Sequence, residues 1–256
     1  MPYRALQAIL LAACLAIGAH GAPARAETLR FVMEPFPPFI TDHNGRPAGP
    51  FPEVVVRACA KLRITCNLDL YPWRRAYEMA VDGAADGIVL LVRLPEREHD
   101  FHFVEPLFRS AYSIVVSRDD ALSYRSPRDL DGYVVAAYGP SATSRAAEEL
   151  AAGARIERLV VELDNRIVLR KVAAHRYGNR AVALVNRELG NAIIQEEGLR
   201  GIRMAGDFKP IDYTIAFSRR SVSAGRAERF AAQLRAMSRS GEIRAIAAEH
   251  GVTPAP

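Results

Sequence analysis

Short, mostly apolar runs rich in valine and isoleucine alternate with stretches of helical period through most of this chain, and that alternation limits the folds open to it. The runs lie at 29–33, 87–92, 112–116, 133–137, 181–185 and 213–217. Such runs suit strands covered by helices on both faces. Helical patterns fill the gaps at 74–81, 143–152, 165–175 and 187–197. A further helix is expected over 52–62, with Pro52 in its first turn and Val55, Ala58, Cys59 and Leu62 on one face, followed by a strand at 65–71. Near the end Ser221 can cap a helix whose apolar face is Phe230, Leu234 and Met237, and Gly241 breaks it before a last helix at 242–250. The expected class is α/β, with largely parallel sheets flanked by helices.

Two polar, turn-rich segments interrupt the pattern beside strands, at 117–128 and at 207–212, the second containing Pro210. If both are crossings between lobes, one lobe comprises 27–117 plus 213–256 and the other 118–212. Two connecting strands would then form a hinge, and a cleft at such a hinge can enclose a small ligand. Periodicity alone does not separate this arrangement from a single doubly wound domain.

Export is read from the start of the chain. Arg4 precedes an apolar run from Ala5 to Ile17, and Ala24-Arg25-Ala26 has the form cleaved by signal peptidase, so residues 1–26 are expected to be a signal peptide and the protein periplasmic. The run is shorter than the ~20 residues a membrane span needs. A minor alternative is a lipoprotein attached through Cys14, which ends Leu11-Ala12-Ala13-Cys14. The chain has 34 Lys and Arg against 29 Asp and Glu, and cleavage would remove only Arg4 and Arg25. The small basic surplus that remains is no footprint for nucleic acid. Cys59 and Cys66 are the two cysteines left in the mature chain. Export favours an oxidised pair, tying the end of the 52–62 helix to the following strand; the alternative is two buried free thiols.

Four segments carry residues suited to holding a small anion. After the 87–92 strand come Arg93 and Arg97, and guanidinium groups at a strand end can grip a carboxylate through paired N–H donors. The competing reading is a solvated charged loop. In Glu34-Pro35-Phe36-Pro37-Pro38-Phe39 three prolines stiffen a loop that projects aromatic rings, and Phe51 follows Gly49-Pro50. Phe36 and Phe51 can line a cleft or plug a core. Trp73, the sole tryptophan, offers a flat face for an apolar or cationic group. Tyr138-Gly139-Pro140-Ser141-Ala142-Thr143 opens a helix, where free N–H groups and the hydroxyls of Ser141 and Thr143 favour an anion, unless Ser141 is only an N-cap.

In order and wording these segments resemble the periplasmic solute-binding proteins of family 3, which capture polar amino acids for ATP-driven importers. The resemblance covers nearly all of the mature chain. It implies a two-lobed fold, each lobe a largely parallel sheet flanked by helices, with the ligand at a two-strand hinge. Leu94-Pro95-Glu96-Arg97 is similar to the family's T-P-E-R turn, whose arginine holds the ligand carboxylate, and the 139–141 turn to its G-S turn on the opposite wall. Some members also carry a cysteine pair placed like Cys59 and Cys66. Two departures stand out: Asn186 occupies the position of an aspartate that binds the ligand ammonium, and Leu90, Leu91 and Val92 replace hydroxyl donors.

The resemblance implies a monomeric binding protein with a small carboxylate or amino acid as ligand, an ABC permease as membrane partner, and no cofactor. Two other functions stay open. A secreted dehydratase of the cyclohexadienyl type would need a proton donor, for which Glu34 and Glu53 are the candidates. A ligand sensor would present its bound form to a membrane receptor. His99 and His102 flank Asp100, but strand alternation sets the two rings on opposite faces, so no metal site is expected.

Overall fold

The computed structural model describes residues 27–256; the segment expected to be a signal peptide, residues 1–26, lies with Cys14 outside the described residues. The chain begins with strand β1 (Thr28–Met33), a hairpin of β2 (Thr41–His43) and β3 (Arg46–Ala48), helix α1 (Pro50–Leu62), β4 (Thr65–Leu70), α2 (Trp73–Val81) and β5 (Gly87–Val92). A 3-10 turn at Pro95–Arg97 and β6 (Phe101–Phe103) lead into the long β7 (Phe108–Ser117). Next come β8 (Val134–Tyr138), α3 (Ala142–Ala152), β9 (Arg158–Glu162), α4 (Asn165–Ala173), β10 (Ala181–Asn186) and α5 (Arg187–Glu196). A second long strand, β11 (Ile202–Ser218), precedes α6 (Ala224–Arg239), α7 (Glu242–Glu249) and β12 (Thr253–Pro254).

The strands order as β4-β1-β5-β11-β7-β10-β8-β9. Two parallel arrays stand at the ends, β4-β1-β5 and β10-β8-β9, while β11 and β7 join them through antiparallel pairs. This is the α/β, periplasmic-binding-protein-like architecture that the alternating pattern and the family resemblance led us to expect. Each parallel array demands crossover helices, and α1 to α4 supply them, while α5 leads from β10 to β11. The first core gathers Phe31, Phe217 and Phe230, with ring centroids 5.1–5.6 Å apart. The second packs Val168, Leu169, Val172 and Ile193 against β10 and β8.

The joining strands are longer than their apolar centres predict. β11 continues through the segment read as a loop crossing, where Pro210 stands opposite Ala111 and register shifts fall between Met204 and Gly206 and between Asp207 and Lys209. Bulges of this kind let a strand bend and twist while it keeps its partner. Tyr112–Asn186 and Val116–Val182 are the ends of the β7–β10 ladder. The 112–116 stretch, expected within the first lobe, therefore pairs with β10 of the 118–212 segment.

Cys59 and Cys66 are bonded to each other, linking the last turn of α1 to the start of β4.

Candidate functional site

Where the two arrays face one another, a pocket is lined by residues from both. Phe36, Trp73, Val89, Leu90, Val92, Arg97 and Glu34 come from the first half; Tyr138, Ser141, Ala142, Thr143 and Asn186 from the second; Tyr112 and Tyr213 from the joining strands. Six of the expected ligand residues meet here: Arg97, Trp73, Phe36, Ser141, Thr143 and Asn186.

Arg97 is placed by its local fold. Pro95 starts a single 3-10 turn after extended Leu94, and the Arg97 N–H closes it onto the Leu94 carbonyl at 2.9 Å. The side chain folds back so that Nη1 donates to the Val92 carbonyl at 2.9 Å. Its guanidinium lies 5.5 Å from the Trp73 ring and 5.3 Å from Tyr77, and only 7% of the residue is exposed. Burial depresses its pKa, opposed by the nearby tyrosines and Glu96. Among the described residues it forms no ion pair. A buried cation without an anion is costly, and this one faces a pocket.

Arg93 behaves differently. Its Nε donates to Glu98 at 2.9 Å, its side chain is 62% exposed, and its guanidinium sits 5.6 Å from Phe103 in a separate groove. The expectation that it adds to the ligand site is corrected: extended Leu94 and the start of the 3-10 turn separate it from Arg97, and its side chain turns outward. Phe51 is corrected too. It is fully buried in the first turn of α1, with Phe108 at 4.9 Å and Phe39 at 6.3 Å, so it fills the core and lines no part of the pocket. Phe36 does line it, held edge-on to Tyr213 at 5.8 Å while its backbone bridges to Ile40.

The opposite wall is built on the start of α3. Ser141 is its N-cap: Oγ accepts from the N–H groups of Thr143 (3.1 Å) and Ser144 (3.4 Å) and donates to the Tyr138 carbonyl (2.7 Å). The cap consumes those amides and the serine hydroxyl. The Ala142 N–H is the first-turn amide at the pocket that the cap leaves over. Thr143 Oγ1 donates to Asn186 Oδ1 at 3.2 Å, and Asn186 Nδ2 donates to the Tyr213 hydroxyl at 2.6 Å. All three residues are buried.

Several pocket residues were not singled out as ligand contacts. Leu90 has φ +63° where β5 and β11 slip in register, an uncommon backbone state for a branched residue that holds its side chain at the pocket. No local composition signal marks it. Tyr112, Tyr138 and Tyr213 add aromatic wall, and burial pushes each phenol above its usual range. Of the two acids considered as proton donors, Glu34 lines the pocket, whereas Glu53 pairs with Arg57 and His250 on the far side of α1. Burial, reinforced by the charge of Asp164, lifts the Glu34 carboxyl to about 7 against the pull of the Trp73 N–H. Among the described residues no group of three or more His, Cys, Asp or Glu is placed to hold a metal, and His99 pairs with Asp100.

A family model described as bacterial extracellular solute-binding proteins, family 3, matches residues 29–253. No curated protein matches the chain. Among solved structures, a histidine kinase sensor domain with similarity to periplasmic binding proteins superposes with a TM-score of 0.77 at 23% identity, covering 90% of this chain and 99% of that one. An ancestral arginine-binding protein bound to arginine gives 0.71 at 21% identity over 87% and 97%. The amino acid ABC transporter substrate-binding protein AbpA from Streptococcus pneumoniae, bound to L-arginine, gives 0.69 at 17% identity over 87% and 94%. At these identities the likeness is one of fold.

Proposed function

Because this chain belongs to the bacterial extracellular solute-binding proteins of family 3, we propose that it captures a small carboxylate-bearing solute, an amino acid or a close relative, and delivers it to an ABC-type importer. Arg97 is the anchor. The observation that carries this reading is its guanidinium, buried at the pocket between Trp73 and Tyr77 with one main-chain acceptor and no acidic partner among the described residues. A planar carboxylate would satisfy the remaining N–H donors and offset the buried charge. The Ala142 N–H and the dipole of α3 would meet the same ligand from the other wall. Two lobes, about 27–117 with 213–256 and about 118–212, would close on the solute by bending where β7 and β11 run side by side. Closure has a cause in this scheme, since a ligand touching both walls makes contacts that an open cleft cannot offer.

A thermal-shift screen over amino acids, their deaminated analogues and dicarboxylates finds the solute, because a ligand that binds only the native state raises Tm. Arg97→Ala should then weaken binding about thirtyfold or more, roughly 2 kcal/mol, measured by calorimetry. An unchanged Kd removes Arg97 from the site.

A second reading, in which a membrane receptor reads the loaded form, is favoured by the likeness to a histidine kinase sensor domain. Solute-dependent stimulation of a permease and ATPase in liposomes, against solute-dependent kinase autophosphorylation, separates the two.

A further inference from the structure

The pocket lining contains one acid, Glu34, and one base, Arg97. They are not paired with each other. Among the described residues Glu34 forms no ion pair at all, and its carboxylate accepts one long hydrogen bond, 3.3 Å from the Trp73 main-chain N–H. The same residue's indole face carries the Arg97 guanidinium. Trp73 thus touches both a half-buried carboxyl and a buried guanidinium that open onto one space, and neither has an oppositely charged partner among the described residues.

Asn186, by contrast, has little left to give. Its amide oxygen accepts from Thr143 and its amide nitrogen donates to Tyr213, and it bears no charge. A ligand ammonium placed there would gain at most the second lone pair of a neutral oxygen that already accepts from Thr143, which is a weak contact beside one to a carboxylate.

We propose that Glu34 is the cation-recognising residue of this pocket, so that the solute is zwitterionic, with its carboxylate at Arg97 and its cationic nitrogen at Glu34 across the face of Trp73. The inference rests on the reading of Arg97 as a carboxylate anchor and extends it to the other end of the ligand. Among the described residues Glu34 has no counter-charge, and burial raises its carboxyl to about 7. The groups that bear on it are Asp164, which disfavours ionisation, the Trp73 N–H, which favours it, and Tyr138, itself near Arg74. An arriving ammonium favours the carboxylate, so binding near neutral pH releases a proton.

The test is calorimetric, on the full mature chain at pH 8, with matched pairs of ligands: L-phenylalanine and 3-phenylpropionate, L-leucine and 4-methylpentanoate, 5-aminopentanoate and pentanoate. Where a pair binds, the amine-bearing member should be at least about tenfold tighter. Glu34→Gln should remove most of that gap and leave the plain carboxylate within about threefold of its wild-type affinity. Glu34→Asp, which keeps the charge, should retain part of the gap, and thermal melts of both variants establish that each is folded. A plain carboxylate that binds as tightly as its amine partner, or a gap that survives Glu34→Gln, overturns the inference while Arg97 keeps its role. Failure of every member of every pair, and of every amino acid, deaminated analogue and dicarboxylate in the thermal-shift panel, to bind the wild-type protein defeats the carboxylate reading and this inference with it.

Discussion

At the scale of single residues, the two arginines show how little of a side chain's fate is written in its spacing. Arg93 and Arg97 carry the same charge four positions apart, yet one leans on Glu98 in solvent and the other is buried against two rings. Pro95 decides the difference, because it starts the tight turn that aims Arg97 back at Val92. Phe36 and Phe51 divide in the same way: a loop stiffened by prolines presents the first at the pocket, and the opening turn of α1 drives the second into the core. Glu34 has a consequence for stability that is separate from binding. Its carboxyl titrates near 7 in the folded protein and near the ordinary 4.5 when unfolded, so the native state holds the proton more tightly. That contribution is complete below about pH 4.5 and is lost as pH rises through about 7. Glu34→Gln cannot titrate. Urea unfolding should therefore show the variant gaining on wild type by on the order of 2–3 kcal/mol between pH 5 and pH 8; parallel pH profiles would mean that folding does not desolvate the carboxyl.

At the scale of elements, the apolar strands of the two arrays and most helices were legible because each is buried on a consistent face. β9 was not, since its sequence mixes Arg158 and Glu162 with a short apolar centre and it lies at the sheet edge. The hairpin of β2 and β3 turns at Asn44 and Gly45, both with positive φ, as an Asn-Gly pair between short strands favours. β11 hides its length behind Pro210 and two acidic residues, Asp207 and Asp212, which read locally as a loop; what makes it a strand is a long antiparallel partner, which no local pattern reports. The bond between Cys59 and Cys66 joins α1 to β4 at the edge of the first array, away from the pocket lining. Replacing both cysteines by serine should lower stability by about 2.5 kcal/mol on the chain-entropy account of so short a loop. Ligand affinity should be unchanged, and a loss of affinity in a protein that still melts cooperatively would tie the bridge to the site.

At the scale of the whole molecule, function depends on two walls that the chain builds from distant segments. The pocket draws on the loop after β1, the start of α2, β5 and the turn after it from one side and on β8, β10 and the start of α3 from the other, with β7 and β11 contributing Tyr112 and Tyr213. An ion pair also crosses between them: Arg145 of α3 donates through Nε (3.1 Å) and Nη2 (2.8 Å) to Glu96, the neighbour of Arg97 in its turn. The family resemblance made the two-walled plan legible, because its motifs fall on both sides. The identity of the charged partners inside was less so, since Glu34 becomes unusual only when the fold has removed water from it and left it without a cation. The most direct test of the account is a crystal structure of the protein with the solute identified by thermal shift. The account predicts the solute's carboxylate bonded to the Arg97 guanidinium at about 2.7–2.9 Å, with the α3 wall against it. A solute seated elsewhere, or an Arg97 that touches only protein while the pocket is filled, would contradict it.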